Sequence, residues 1–213
     1  MKIKSILAAG AAALLLAACQ PTDDPYKDTY AMAESSVFIS IAVPGKPGKG
    51  HCTGTHLGYG YVLTAAHCAI TGGVFEIDES GRQAEVLWSN KSYDVAMMYD
   101  PLISSQIPAS SITCKPPYIG QEIFVRSNPL DLRDMMTYGR IASMPRQLAI
   151  WKRVAVHNIA GAPGSSGSGV FDMKGRIVGV LVGGHSPFTN VSIVVPSSEI
   201  CRLMGDGIVA TPE

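Results

Sequence analysis

Apolar residues recur along this chain in short runs, some alternating with polar residues and some continuous, separated by clusters of Gly, Pro, Asn, Asp and Ser. That is the pattern of β-strands and turns. It predicts strands at 37–43, 61–64, 74–77, 84–88, 95–99, 122–127, 137–143, 153–157, 169–172, 177–182 and 191–195. The stretch 44–50, with two lysines and three glycines, reads as an exposed turn segment. Before residue 197 no window carries the roughly 3.6-residue period of a helix. Ser197 then precedes a brief periodic stretch through Met204 that Gly205 ends, which reads as one short helix with a serine cap. Residues 101–117, with four prolines and little strand pattern, read as a connector between two halves of comparable size. The expected fold is all-β, barrels or sandwiches, with two antiparallel β-barrels suiting the halves 34–100 and 118–196, and a C-terminal helix and tail at 197–213.

Composition narrows the function classes. A length of 213 residues allows one to two domains at roughly 150 residues each. Only 16% of residues are charged, against about 25% in an average domain, and 46% are apolar, which excludes a disordered chain. Seventeen basic residues balance 17 acidic ones, so no electrostatic footprint for nucleic acid exists and no such partner is expected.

The N-terminus carries an address. Lys2 and Lys4 precede thirteen apolar or small residues at 6–18, short of the roughly 20 that cross a bilayer with ease, so 1–18 reads as an export signal. Leu16-Ala17-Ala18-Cys19 resembles the bacterial lipobox. That resemblance implies that Cys19 is lipidated on sulfur and becomes the mature N-terminus, anchored to a bacterial membrane. Gln20 after the cysteine, rather than aspartate, resembles the outer-membrane-destined case. The alternative is an ordinary signal peptide with a chance cysteine at its cleavage site. Residues 19–33, rich in charge and without periodicity, read as a tether.

Four cysteines remain, Cys52, Cys68, Cys114 and Cys201, and export permits disulfides among them. Three pairings are possible. A Cys52–Cys68 bridge would enclose fifteen residues and remove about 3 kcal/mol of unfolded-state entropy, which leaves Cys114 for Cys201. Zinc held by His51, Cys52, His56, His67 and Cys68 is the competing use, but their spacing matches no compact zinc pattern.

Three motifs carry chemistry. Thr64-Ala65-Ala66-His67-Cys68 resembles the catalytic-histidine motif of the trypsin/chymotrypsin-like serine peptidases, and Gly164-Ser165-Ser166-Gly167-Ser168-Gly169 resembles their nucleophile turn, in its bacterial form. Asp94-Val95-Ala96-Met97 between them resembles the aspartate segment, in the chain order His, Asp, Ser of that family. The resemblance implies a trypsin-like double barrel and a cofactor-free endopeptidase acting on protein or peptide substrates. The residues themselves ask for the same roles. A serine hydroxyl needs a neutral imidazole to take its proton, and the imidazole needs a carboxylate to fix its tautomer. His67 would be the base, Asp94 the orienter and Ser166 the nucleophile, with the N–H groups of Gly164 and Ser166 as the oxyanion hole. Asp78, Asp100 and Asp131 are competitors for the acid's place.

Departures from the family are informative. Ser165 stands where animal digestive members place the aspartate that receives a newly cut N-terminus, and no Ile-Val-Gly-Gly start is visible, so activation by N-terminal insertion is not expected. The 27-residue interval from His67 to Asp94 is closer to compact bacterial members such as the high-temperature-requirement type, without room for their PDZ domain. By family position the primary specificity pocket takes in Ala160, Gly161, Val182, Gly183 and Gly184, with residues near Asn190 and Ser192. No acidic floor appears among them, so small or apolar substrate side chains are expected. His185 lies just past the strand end where glutamyl endopeptidases use a histidine to meet a carboxylate, which makes it a candidate substrate-binding residue, the competing and favoured reading being a solvated loop histidine. A monomer is expected. The alternative from another class is a catalytically silent surface lipoprotein that binds a partner on the same scaffold.

Overall fold

The computed structural model describes residues 26, 28–185 and 188–205. The signal segment and Cys19 lie outside the described residues. A one-turn helix, α1 (Thr29–Met32), ends the stretch read as a tether, and it is seated: Thr29 and Ala33 are buried.

Six strands follow: β1 (Ser36–Ala42), β2 (Lys49–Gly58), β3 (Tyr61–Thr64), β4 (Val74–Ile77), β5 (Gln83–Asn90) and β6 (Val95–Tyr99). They close into an antiparallel barrel in the order β1-β2-β3-β6-β5-β4. The continuous apolar runs of β1 and β6 are buried on both faces, whereas β5 alternates and turns one face to water. Missing from the expected strands is β2, whose Gly, His and Thr residues carry no apolar alternation. Packing makes it a strand. A Cβ on Gly54 would fall 2.6 Å from Val62 and 2.8 Å from Ile39, so the bare backbone is what lets the wall pass over the barrel interior. Lys49 and Gly50, expected in a turn, belong to this strand.

The second half holds β7 (Glu122–Ser127), β8 (Met135–Arg140), β9 (Arg146–Leu148), β10 (Trp151–His157), β11 (Gly169–Asp172), β12 (Ile177–His185) and β13 (Phe188–Pro196). They form a seven-stranded sheet in the order β8-β7-β11-β12-β13-β10-β9. With α2 (Ser197–Gly205) after it, the layout fits a trypsin-like double barrel. Short β9, two of whose three residues are polar, is a second strand the apolar pattern does not announce.

One core joins the halves. Buried Val37, Ile39, Leu63 and Met97 of the first barrel pack in one cluster with Val154, Val180, Val182 and Ile193 of the second sheet and with Ile200 and Met204 of α2. Ile200 and Met204, four apart, share the buried face of that helix. Among the described residues its buried Ser197 hydroxyl has no hydrogen-bond partner, so the expected serine cap bond is not made. Both disulfides are present: Cys52–Cys68 ties β2 to the turn after β3, and Cys114–Cys201 ties the connector to α2.

Candidate active site

β3 and β6 are neighbours in the barrel, paired so that Thr64 faces Ala96. That register brings the turn after β3 beside the residue that opens β6. His67 sits in the turn, and its Nδ1 lies 2.8 Å from Asp94 Oδ2. The His67 backbone N–H donates to the other oxygen, Asp94 Oδ1, also at 2.8 Å. Asp94 reaches both because its backbone is left-handed, with φ at 57°, a region that aspartate tolerates better than most residues. A third donor closes the set, Trp151 Nε1 on β10, 3.3 Å from Asp94 Oδ2. Burial alone would raise the Asp94 carboxyl, but the hydrogen bonds and charge of His67, with Trp151 added, hold it below the ordinary 3.8 of an aspartate. The acid is therefore an anion at neutral pH, as an orienter must be. Its side chain is 10% exposed while that of His67 is 47% exposed, so the imidazole is backed by a buried charge and open in front.

Ser166 comes from the second sheet, in the loop between β10 and β11, and is half-buried. The loop is clamped onto the first barrel. Thr53 N–H donates to the Ser166 carbonyl at 2.9 Å, and the Thr53 hydroxyl donates to the Gly164 carbonyl at 2.8 Å. Gly169 N–H donates to Thr55 Oγ1 at 2.8 Å. Gly167, at φ 87°, leaves no room for a side chain: a Cβ would collide with the Thr53 carbonyl and the Thr64 hydroxyl. Gly164, at φ 97°, is held the same way by His51 and the Asn128 carbonyl. This clamp sets Ser166 next to the histidine turn, with its carbonyl 3.8 Å from the sulfur of Cys68, the residue after His67. Among the described residues the Ser166 hydroxyl makes no hydrogen bond to His67, a contact that in substrate-free sites often tightens only on binding. Among the described residues the Gly164 and Ser166 N–H groups donate to no protein acceptor, whereas the Ser165 N–H between them is spent on the Ala162 carbonyl at 2.9 Å. The unspent donors are thus the nucleophile's own N–H and that of the glycine two residues before it.

The competing acids are occupied elsewhere. Asp78 accepts from the Phe38 N–H at 2.7 Å, Asp100 pairs with Arg82 at 3.1 Å, and Asp131 is exposed beside Arg133. Zinc is answered by the donor set: Cys52, His67 and Cys68 do cluster, but the two sulfurs are bonded to each other, which removes both thiolates. Of the expected pocket residues, Ala160 is exposed and Gly161 and Gly183 half-buried, while the Val182 side chain is in the core and offers only its backbone to a ligand. Gly184 is exposed. The His185 side chain lies outside the described residues. Thr53, Thr55 and Trp151 carry no motif. The alternating threonines of β2 were the one visible signal, and nothing near Trp151 in sequence points to an acid that is 57 residues away.

The trypsin-like peptidase domain family matches residues 48–180. No curated protein sequence matches the chain. The active form of the Rv3671c protease of M. tuberculosis is similar, at 20% identity and a TM-score of 0.75, over 91% of this chain and 88% of that one. The HtrA-type protease AlgW with a tripeptide is similar at 19% identity and a TM-score of 0.71, over 83% of this chain and 62% of that one. The serine endoprotease from Yersinia pestis gives 18% identity and a TM-score of 0.71, over 88% and 67%. At such identities the likeness speaks to the fold. The family match runs from β2 into β12 and spans every segment that holds His67, Asp94 and Ser166, and by it the chain belongs to the trypsin-like peptidase domain family.

Proposed function

We propose that the chain is a serine endopeptidase that cleaves protein or peptide substrates through an acyl-enzyme on Ser166, held at a bacterial membrane, the outer one, by lipidated Cys19. The observation that carries the catalytic part is the buried Asp94 anion bonded at two points to an exposed His67, beside the turn of a half-buried Ser166 in which the Ser166 and Gly164 N–H groups are unspent among the described residues. His67 Nε2 takes the proton from Ser166 Oγ as the oxygen attacks the substrate carbonyl carbon. The resulting oxyanion meets the Gly164 and Ser166 N–H groups, each worth about 2.7–4 kcal/mol in such a site. Collapse breaks the peptide bond, and the leaving amine takes the proton from His67. Water then repeats the sequence to free the acid and regenerate Ser166. The anchor rests on the sequence resemblance of residues 16–19.

The test treats the full chain, in detergent, with a fluorophosphonate probe alongside Ser166→Ala. Labelling of the parent alone, with turnover in the variant down by roughly 10⁶, supports the reading. A folded parent that stays unlabelled would leave a silent scaffold. Incorporation of a fatty-acid analogue that Cys19→Ser abolishes, with release of the chain from membranes, tests the anchor.

A further inference from the structure

Away from the His67–Asp94 pair lies a second set of polar atoms, and it has no partner. Ser192 on β13 is 0% exposed and His157 on β10 is 1% exposed. Among the described residues neither Ser192 Oγ nor His157 Nδ1 makes a hydrogen bond. Unpaired buried polar groups are rare because each gives up its water for nothing. These two are neighbours. β13 runs between β12 and β10, and the register pairs Ser192 with Gly184 on one side and with His157 on the other. Directly paired residues of antiparallel strands point to the same face, about 4.5–5.5 Å apart at Cβ. Across three strands the row reads Gly184, Ser192, His157, and Gly184 has no side chain with which to cover the hydroxyl.

Gly161 approaches this row from the loop that leads to Ser166. A Cβ built on it would stand 3.5 Å from Ser192 Cβ and 3.8 Å from the Gly183 carbonyl, and one on Gly184 would stand 3.7 Å from the Gly161 carbonyl. Three glycines thus meet beside Ser192, and none of them brings a side chain to its hydroxyl.

Resting on the serine-peptidase reading above, we propose that Ser192 and His157 form a polar floor to the primary specificity pocket, and that the residue preceding the cleaved bond is serine or threonine. A neutral hydroxyl can both donate to and accept from these two atoms. An apolar side chain of the same size leaves them unpaired, and a charged one finds no counter-charge. Burial pushes His157 down to about 3, so at neutral pH the imidazole carries no charge with which to hold an acidic side chain. This refines the small or apolar preference expected from the missing acidic floor: small is kept, apolar is replaced by hydroxylic.

The test uses the full chain in detergent on a peptide library randomised at one position, with products identified by mass spectrometry, and then on matched peptides with Ser, Thr, Ala, Val, Leu, Asp or Lys before the cleaved bond. The expected result is a kcat/KM for Ser and Thr about tenfold or more above Ala and Val, as sites built to bond a hydroxyl discriminate. Ser192→Ala should bring the Ser-to-Ala ratio of kcat/KM to near one. His157→Phe, of similar size and without the ring nitrogens, should act in the same direction. Fluorophosphonate labelling reports a folded site in each variant. Val preferred to Thr, or a Ser-to-Ala ratio that neither variant moves, overturns the polar floor and leaves the peptidase standing. Labelling without any cleavage overturns the substrate assignment alone. An unlabelled parent overturns the peptidase reading, and this proposal with it.

Discussion

Asp94 has a left-handed backbone that asparagine also adopts readily, so Asp94→Asn changes charge and hydrogen-bond polarity without straining the turn. The amide can still accept from the His67 N–H with its oxygen, but its NH₂ then faces His67 Nδ1 and favours the wrong tautomer. The expected outcome is a kcat lower by about 10⁴, with a protein that still folds near pH 7 and melts somewhat lower, because the bonds from His67 and Trp151 to the carboxylate are weakened. A fall of less than about tenfold would remove Asp94 from its assigned role. Both His67 and Asp94 were legible as residues, because a motif of small residues marks one and an acid before an apolar strand marks the other. Trp151 was not, because its link to Asp94 depends on how β10 packs over the first barrel.

At the scale of elements, β2 does more than complete a barrel. The Thr53 hydroxyl donates to the Gly164 carbonyl and accepts from the backbone and side-chain N–H groups of Asn128, each at 3.2 Å. One donor and two acceptor sites are all that a hydroxyl has, so every one is used. Thr53→Val keeps shape and strand propensity and strands all three partners in a buried place. Urea denaturation should show a loss of about 2–4 kcal/mol, and kcat should fall more than KM rises as the Gly164 peptide loosens. Thr53→Ser should recover most of both. This strand was illegible because residues that serve as clamps, threonine and glycine among histidines, are chosen for contacts to another part of the chain and not for an apolar face.

For the whole molecule, the two disulfides should separate stability from activity. Cys114–Cys201 spans 87 residues and Cys52–Cys68 spans 16, which in the chain-entropy model makes them worth about 4–5 and about 3 kcal/mol. Replacing the longer pair with serines should lower the melting temperature more. Replacing the shorter pair should lower kcat more, because Cys68 adjoins His67 and touches the Ser166 carbonyl. Acid should weaken the fold through His157. Its folded pKa, about 3, is far below the ordinary 6.5, so between these values the unfolded chain holds a proton that the folded one does not. Stability from this residue is whole above about pH 6.5 and declines as pH falls toward 3. Asp94 acts lower, since its contribution is present above the ordinary 3.8 and is lost as pH falls further. Melting temperatures of the parent and of His157→Phe from about pH 7.5 to about 4.5 separate the histidine from Asp78, whose carboxyl burial raises and whose effect has the opposite sign, and His157→Phe should flatten the slope.

Local pattern was enough to determine strand-rich architecture, a connector with four prolines, one terminal helix, and the residue types able to run acyl transfer, since alternation, turn chemistry and short motifs are properties of neighbours in the chain. What required the folded molecule was everything that joins distant segments. The barrel set His67 against Asp94, β2 clamped the Ser166 loop, and three adjacent strands put Gly184, Ser192 and His157 in one row. Register between strands follows from side chains packing across the core, and no stretch of sequence read alone contains its partner.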